Sequence, residues 1–100
     1  MSIQLSLIYP ESPIQLHKDK EATFLINSTS TVQEYISIYI YSYEDESFKY
    51  IKDILINVGR LDYLIFWFAN LPRGKYCLAC YKYHWFSKEL FWKSPTFYIV

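Results

Sequence analysis

Glycine is almost missing from this chain of 100 residues, occurring only at positions 59 and 74. Two glycines cannot build a Gly-rich loop that cradles phosphates, so nucleotide-dependent catalysis is disfavoured. Cysteine is as scarce: Cys77 and Cys80 are too few for a disulfide-dense secreted scaffold, and the redox compartment stays open. Alanine occurs at 22, 69 and 79 only, against 12 isoleucines, a bias away from helix formers and toward strand formers. Charge of one sign is not in excess: Lys plus Arg and Asp plus Glu are each 10. Generic binding to a phosphate backbone is therefore disfavoured. The N-terminus shows neither a basic region before its short apolar run nor a small-residue cleavage site. That leaves cytosolic synthesis, with incorporation into a virion or other assembly open, or a start after a processed segment. No apolar run is long enough for a membrane-spanning helix.

What is present is hydrophobic and aromatic. Hydrophobic residues are 52%, aromatics 21% and charged residues 20%, a composition that folds rather than staying disordered. One hundred residues without a Ser/Gly/Pro-rich linker or an internal repeat read as one domain, 1–100.

The clearest strand is 35–43, where Ile36, Ile38 and Ile40 alternate with Tyr35, Ser37, Tyr39, Tyr41 and Tyr43. Further strands are expected at 2–9, 21–28, 61–69, 75–83 and 96–100, each bounded by Pro, Gly, Asn, Ser or charge clusters. Residues 47–58 read either as a helix, with Phe48, Ile51, Leu55 and Val58 on one face, or as a strand with Phe48, Tyr50, Ile54, Ile56 and Val58 on one side. The strand fits its neighbours better. Seven short strands at this spacing predict an all-β, seven-stranded antiparallel sandwich of immunoglobulin type, with a five-stranded oligonucleotide-binding barrel as the alternative.

Leu71-Pro72-Arg73-Gly74-Lys75-Tyr76 precedes the strand 75–83, where a sandwich needs the corner between its two sheets. A tyrosine there can keep its ring in the core and turn its hydroxyl back to upstream backbone, so Leu71, Pro72, Gly74 and Tyr76 form a candidate tyrosine corner. With Trp67 before that corner, Cys77 to Cys80 after it and Ser94-Pro95-Thr96-Phe97-Tyr98-Ile99 opening the last strand, the chain resembles immunoglobulin-like and fibronectin type III-like sandwiches. More narrowly, residues 63–100 resemble the immunoglobulin-like domain of Ser/Thr-rich, lipid-anchored cell-wall proteins and their prokaryotic relatives. The resemblance implies a sandwich and no activity; a Ser/Thr-rich tail and a secretion signal are not seen in this sequence.

Chemistry-bearing motifs are sparse. Cys77-Leu78-Ala79-Cys80 has the spacing of a zinc or redox half-site, but on a strand residues three apart point to opposite faces, which suits structural thiols. Only His17 and His84 could complete a zinc set, so neither metal nor cofactor is expected. His84 lacks a partner at a recognisable spacing and reads as a loop histidine. Glu44-Asp45-Glu46 lacks the alternation and Gly of a calcium loop and reads as a solvated turn. Asn27-Ser28-Thr29 fits a glycosylation pattern, which matters only on a secretory route.

The informative feature is apolar excess. A sandwich interior of seven strands takes roughly 25 side chains, and this chain offers twice as many. Placing Ile36, Ile38 and Ile40 inward leaves a tyrosine ladder outside, and in 61–69 either face choice leaves Tyr63, Ile65 and Trp67 or Leu64, Phe66 and Phe68 exposed. The connection 83–93 carries Trp85, Phe86, Phe91 and Trp92 where a loop is normally polar. Residues 1–50 hold three basic and seven acidic groups and residues 51–100 the reverse, which allows opposite poles.

These observations predict a non-enzymatic structural or protein-interaction domain, a building block or decoration of a filament, virion or surface layer, making contact through Tyr39, Tyr41, Trp85, Phe86, Phe91 and Trp92. Self-association or a protein partner is expected. The Ile-, Tyr- and Lys-rich composition suits an AT-rich genome, including those of archaea and their viruses. The second reading is a carbohydrate-binding module that stacks Trp85 and Trp92 on sugar faces. The third is a single-stranded nucleic-acid binder that interleaves Lys75, Lys82, Lys88 and Lys93 with aromatic rings.

Overall fold

A computed structural model describes residues 2–9, 15–84 and 87–100, the side chains of 2–9, 83, 84 and 91 excepted. Strands β1 (Ser2–Tyr9), β2 (Gln15–Leu16), β3 (Glu21–Ser30), β4 (Glu34–Ser42), β5 (Ser47–Ile56), β6 (Gly59–Phe68), β7 (Gly74–His84), β8 (Ser87–Lys93) and β9 (Phe97–Ile99) form two sheets. The smaller has the order β1-β3-β6; the larger runs β2-β9-β7-β4-β5, with β8 also on β7. Among the described residues there is no helix, so 47–58 resolves as strand.

Two strands are additional to the seven expected, and one pairing is parallel. After β1 the chain changes sheet: β2 pairs in parallel with β9, Leu16 opposite Ile99. Residues 87–93, read from sequence as connecting loop, are strand β8, paired antiparallel with the far half of β7. β8 and β9 flank the same side of β7, and the break between them falls where Ser94 takes over: its N–H donates to the Leu78 carbonyl at 2.9 Å and its Oγ accepts from the Leu78 N–H at 2.8 Å. Pro95, which has no N–H to give a ladder, follows at that break.

Between the sheets lies one core. β3 contributes Ala22, Phe24 and Ile26, β4 Ile36, Ile38 and Ile40, β5 Ile54 and Ile56, β6 Ile65, β7 Tyr76, Leu78 and Cys80, and β9 Phe97 and Ile99. Each set alternates along its strand, because successive side chains leave opposite faces. Ser28 also points into this interior, and its buried hydroxyl has no hydrogen-bond partner among the described residues.

Two β-bulges in the larger sheet shift the alternation. In β5 the register slips between Ile38↔Lys52 and Tyr39↔Tyr50, leaving Ile51 as the extra residue. Phe48 and Tyr50 therefore lie on the outer face while Ile54 and Ile56 lie in the core, although all four have even numbers; the single-sided strand read from sequence is corrected by this one inserted residue. In β8 the slip falls between Cys80↔Trp92 and Tyr81↔Leu90, with Phe91 extra. Lys88 and Lys93, five positions apart, come to the same face for the same reason.

The acidic and basic halves of the sequence meet on the larger sheet. Ser42 pairs with Tyr76, which brings the acidic turn after β4 beside β7, with the Glu44 carboxylate close against Gly74 and next to Lys75. Charges distant in sequence are neighbours across a strand pair.

Candidate functional site

Two aromatic surfaces result, and they differ in how they are covered. The first is the outer face of the larger sheet. Tyr39 makes edge-to-face contacts with Phe48, Tyr50 and Tyr81, with ring centroids 6.3, 5.6 and 5.3 Å away. Tyr41 packs on Tyr43 at 5.0 Å and on Phe48 at 4.7 Å. Beneath this layer Cys77 and Ala79 are buried although they alternate with the core residues Tyr76, Leu78 and Cys80. The layer is a second, thin core on the outside of the sheet, and edge-to-face rings suit it because the positive ring edge meets the negative face.

Lysines cap it. Lys75 Nζ lies 4.8 Å from the Tyr43 ring centre, Lys93 Nζ 4.9 Å from Tyr41 and Lys88 Nζ 4.9 Å from Tyr39. Lys88 also donates to the Tyr39 hydroxyl. The small residues at 77 and 79 leave room for a lysine stem reaching from β8 across β7 to the rings of β4. A hydrogen bond with the Cys77 thiol, then burial, raises the Tyr43 phenol above its usual value; burial does the same first for Tyr81. At the far end of this face Ser37 donates to Asp53 at 2.5 Å.

The second surface is the outer face of the smaller sheet, along β6. Here Leu61, Tyr63 and Trp67 pack against the core beside buried Ile65, so Leu64, Phe66 and Phe68 project outward, exposed by 44%, 77% and 51%. Leu25 of β3 stands opposite Leu64, and Thr23 opposite Phe66. A cleft of about 320 Å³ lined by Glu21, Ala22, Thr23, Phe66, Trp67 and Phe68 opens at the same end. No lysine covers these rings among the described contacts, and β6 is an edge of its sheet.

The residues singled out from sequence divide accordingly. Tyr39 and Tyr41 are half-buried in the capped layer. Trp92 sits opposite Cys80 and packs in part against the core. Trp85 and Phe86 lie outside the described residues, and Phe91 is placed only by its backbone, as the bulged residue of β8. At the corner, the Tyr76 hydroxyl donates to the Pro72 carbonyl at 2.5 Å, and its ring stacks near Phe97 at 6.2 Å. Leu71 packs against the core, and Gly74 opens β7 where a Cβ would lie 3.0 Å from the Glu44 carboxylate. Burial first, then the nearby Asp45 and Glu44 carboxylates, raises the Tyr76 phenol.

Cys77 and Cys80 are free thiols on opposite faces of β7, and burial pushes the Cys80 thiol up to about 12. No group of three or more His, Cys, Asp or Glu is placed to hold a metal among the described residues. Glu44-Asp45-Glu46 is the turn between β4 and β5, with Glu46 at a positive φ of 51°. Asn27 lies mid-strand in β3, its amide donating to Asp62 at 2.6 Å. The β6 stripe is the surface for which sequence reasoning offered only a choice between two faces; the signal was present in the alternation of 63–68, but nothing local says which half goes inside.

Comparison with solved structures places the chain in the β-sandwich class. It superposes on a crystal structure of the C-terminal domain of wzt with a TM-score of 0.66 over 98% of this chain and 70% of that one, at 14% identity. No family model matches the chain, and no curated protein matches it. At that identity the likeness is one of fold.

Proposed function

We propose that this chain is a non-enzymatic, immunoglobulin-like interaction domain whose contact surface is the β6 edge, and that the surface pairs with a second copy of the chain. The observation that carries this reading is the uncapped row Leu64, Phe66 and Phe68 on an open sheet edge, with Phe66 exposed by 77%. Open edges normally carry charge, proline or a covering element, because unpaired backbone groups invite another strand. Here Arg60 and Asp62 occupy only the start of β6, and the rest is apolar.

Antiparallel pairing of two β6 edges about Phe66 sets Phe66 against Phe66 and Leu64 against Phe68 of the second copy. Apolar meets apolar at each position, and the interface is self-complementary as a two-fold requires. The immunoglobulin-like assignment is supported by the Tyr76 corner and by the change of sheet between β1 and β2. Stacking of neutral sugars is less well supported, since lysines occupy ring faces of the tyrosine layer.

Sedimentation equilibrium tests the proposal. Wild type should sediment as a dimer at micromolar concentration, and Phe66→Glu as a monomer with unchanged circular dichroism. A stability change within about ±0.5 kcal/mol is expected for so exposed a site. A monomeric wild type at high micromolar concentration, or a Phe66→Glu protein that still dimerises, refutes it.

A further inference from the structure

The capped tyrosine layer is more than a second core. Its three ammonium groups form a row: Lys75 over Tyr43, Lys93 over Tyr41 and Lys88 over Tyr39. Tyr39 and Tyr41 stand on β4 and Tyr43 at the start of the turn that follows, so the three charges lie along one line of the outer face. Among the described residues neither Lys75 nor Lys93 is within ion-pair distance of a carboxylate. Three lysines from two different strands reach one row only because the Phe91 bulge turns Lys88 and Lys93 to the same side.

The geometry points to a short anion track on the outer face of the larger sheet that takes the phosphates of a single-stranded nucleic acid. A row of cations on one face is complementary to the phosphates of an extended strand, and the ammonium groups, already seated on ring faces, lose little freedom on binding. Neutral overall charge does not oppose this, since the track is local. Its length is limited: the acidic turn 44–46 closes one end beyond Tyr43, and Asp53 closes the other beyond Tyr39. The track therefore holds about three phosphates, and bases do not stack on the ring faces that the lysines occupy. Acidic polysaccharide is the competing occupant.

Fluorescence anisotropy with a labelled oligothymidylate of about 12 nucleotides tests this at about 20 mM salt, where phosphate contacts are strongest. The logarithm of affinity should fall with the logarithm of salt at a slope near −2, since each phosphate contact on a single strand contributes about 0.7. Lys75→Gln and Lys93→Gln should each weaken binding several-fold and lower the slope by about 0.7, while Lys93→Arg keeps both. Arg60→Gln, which removes an exposed cation from the smaller sheet, should leave binding unchanged. Absence of binding at low salt, or glutamine variants that bind as wild type with native circular dichroism, overturns the proposal. Polygalacturonate binding more tightly than the oligonucleotide overturns it in favour of a polysaccharide track.

Discussion

Replacing Tyr76 by Phe removes one oxygen and tests how the corner is held. The hydroxyl donates to the Pro72 carbonyl at 2.5 Å, from a residue exposed by only 5%. Pro72 itself is exposed, so water can satisfy its carbonyl once the phenol is gone. The loss is then that of one net intramolecular hydrogen bond, about 1 kcal/mol, and not the larger penalty of an orphaned buried acceptor. In a domain of this size that lowers the melting temperature by roughly 4–8 °C. Urea unfolding should give a lower midpoint at unchanged slope, because the surface exposed on unfolding hardly changes. Tyr76→Leu additionally removes the ring that stacks near Phe97 and should lose about 3 kcal/mol. A Tyr76→Phe change below about 0.3 kcal/mol would mean that the hydroxyl is not holding the corner, and one as large as the Leu variant would mean the carbonyl cannot reach water.

Cys80 makes alkaline stability a direct readout of core burial. Its thiol is held up to about 12 from the ordinary value of 9.0. The native state therefore keeps a proton that the unfolded state loses, so stability falls as pH rises from about 9 toward 12, by up to ~4 kcal/mol, and is fully present below 9. Cys80→Ala should show a shallower decline by one proton in urea titrations across that range; identical slopes would contradict the burial argument. Ser28→Ala should be neutral or stabilising by about 1 kcal/mol in thermal unfolding, because the buried hydroxyl it removes has no partner among the described residues. A loss above about 1 kcal/mol would contradict the premise that this hydroxyl is unsatisfied.

Local patterning was legible wherever one face of a strand is apolar and the other is not. Ile36, Ile38 and Ile40 with their intervening tyrosines could be placed inside and outside from the sequence alone, since a period of two admits one arrangement. The segment 47–58 could not be settled in that way. Its even-numbered residues switch faces at Ile51, and a bulge is a relation between two strands that one strand does not encode. β8 was hidden for a similar reason: Phe91 interrupts the alternation, so 83–93 reads as a greasy loop until β7 is placed beside it. β2, with two residues, has too little pattern to detect, and its partner β9 lies some 80 residues away.

The candidate surfaces show the same division. An apolar excess and a tyrosine ladder were evident from composition and spacing, but that Trp92 packs in part against the core follows only from its pairing with Cys80. Lys75, Lys88 and Lys93 are interleaved with aromatics in the sequence, yet which ring each one caps depends on stems crossing between strands. The stripe on β6 was one of two equal choices.

Composition and alternation by themselves determined that this chain folds into strands, buries its isoleucines, and carries more apolar surface than one interior can use. Tertiary structure decided where the surplus goes: one set of rings is roofed by lysines into a second layer, and the other is left bare on an edge. The reason is physical. Alternation is a property of a single strand and fixes only that two faces differ, whereas cover comes from side chains supplied by neighbours, whose identity depends on register, bulges and the order of strands in each sheet.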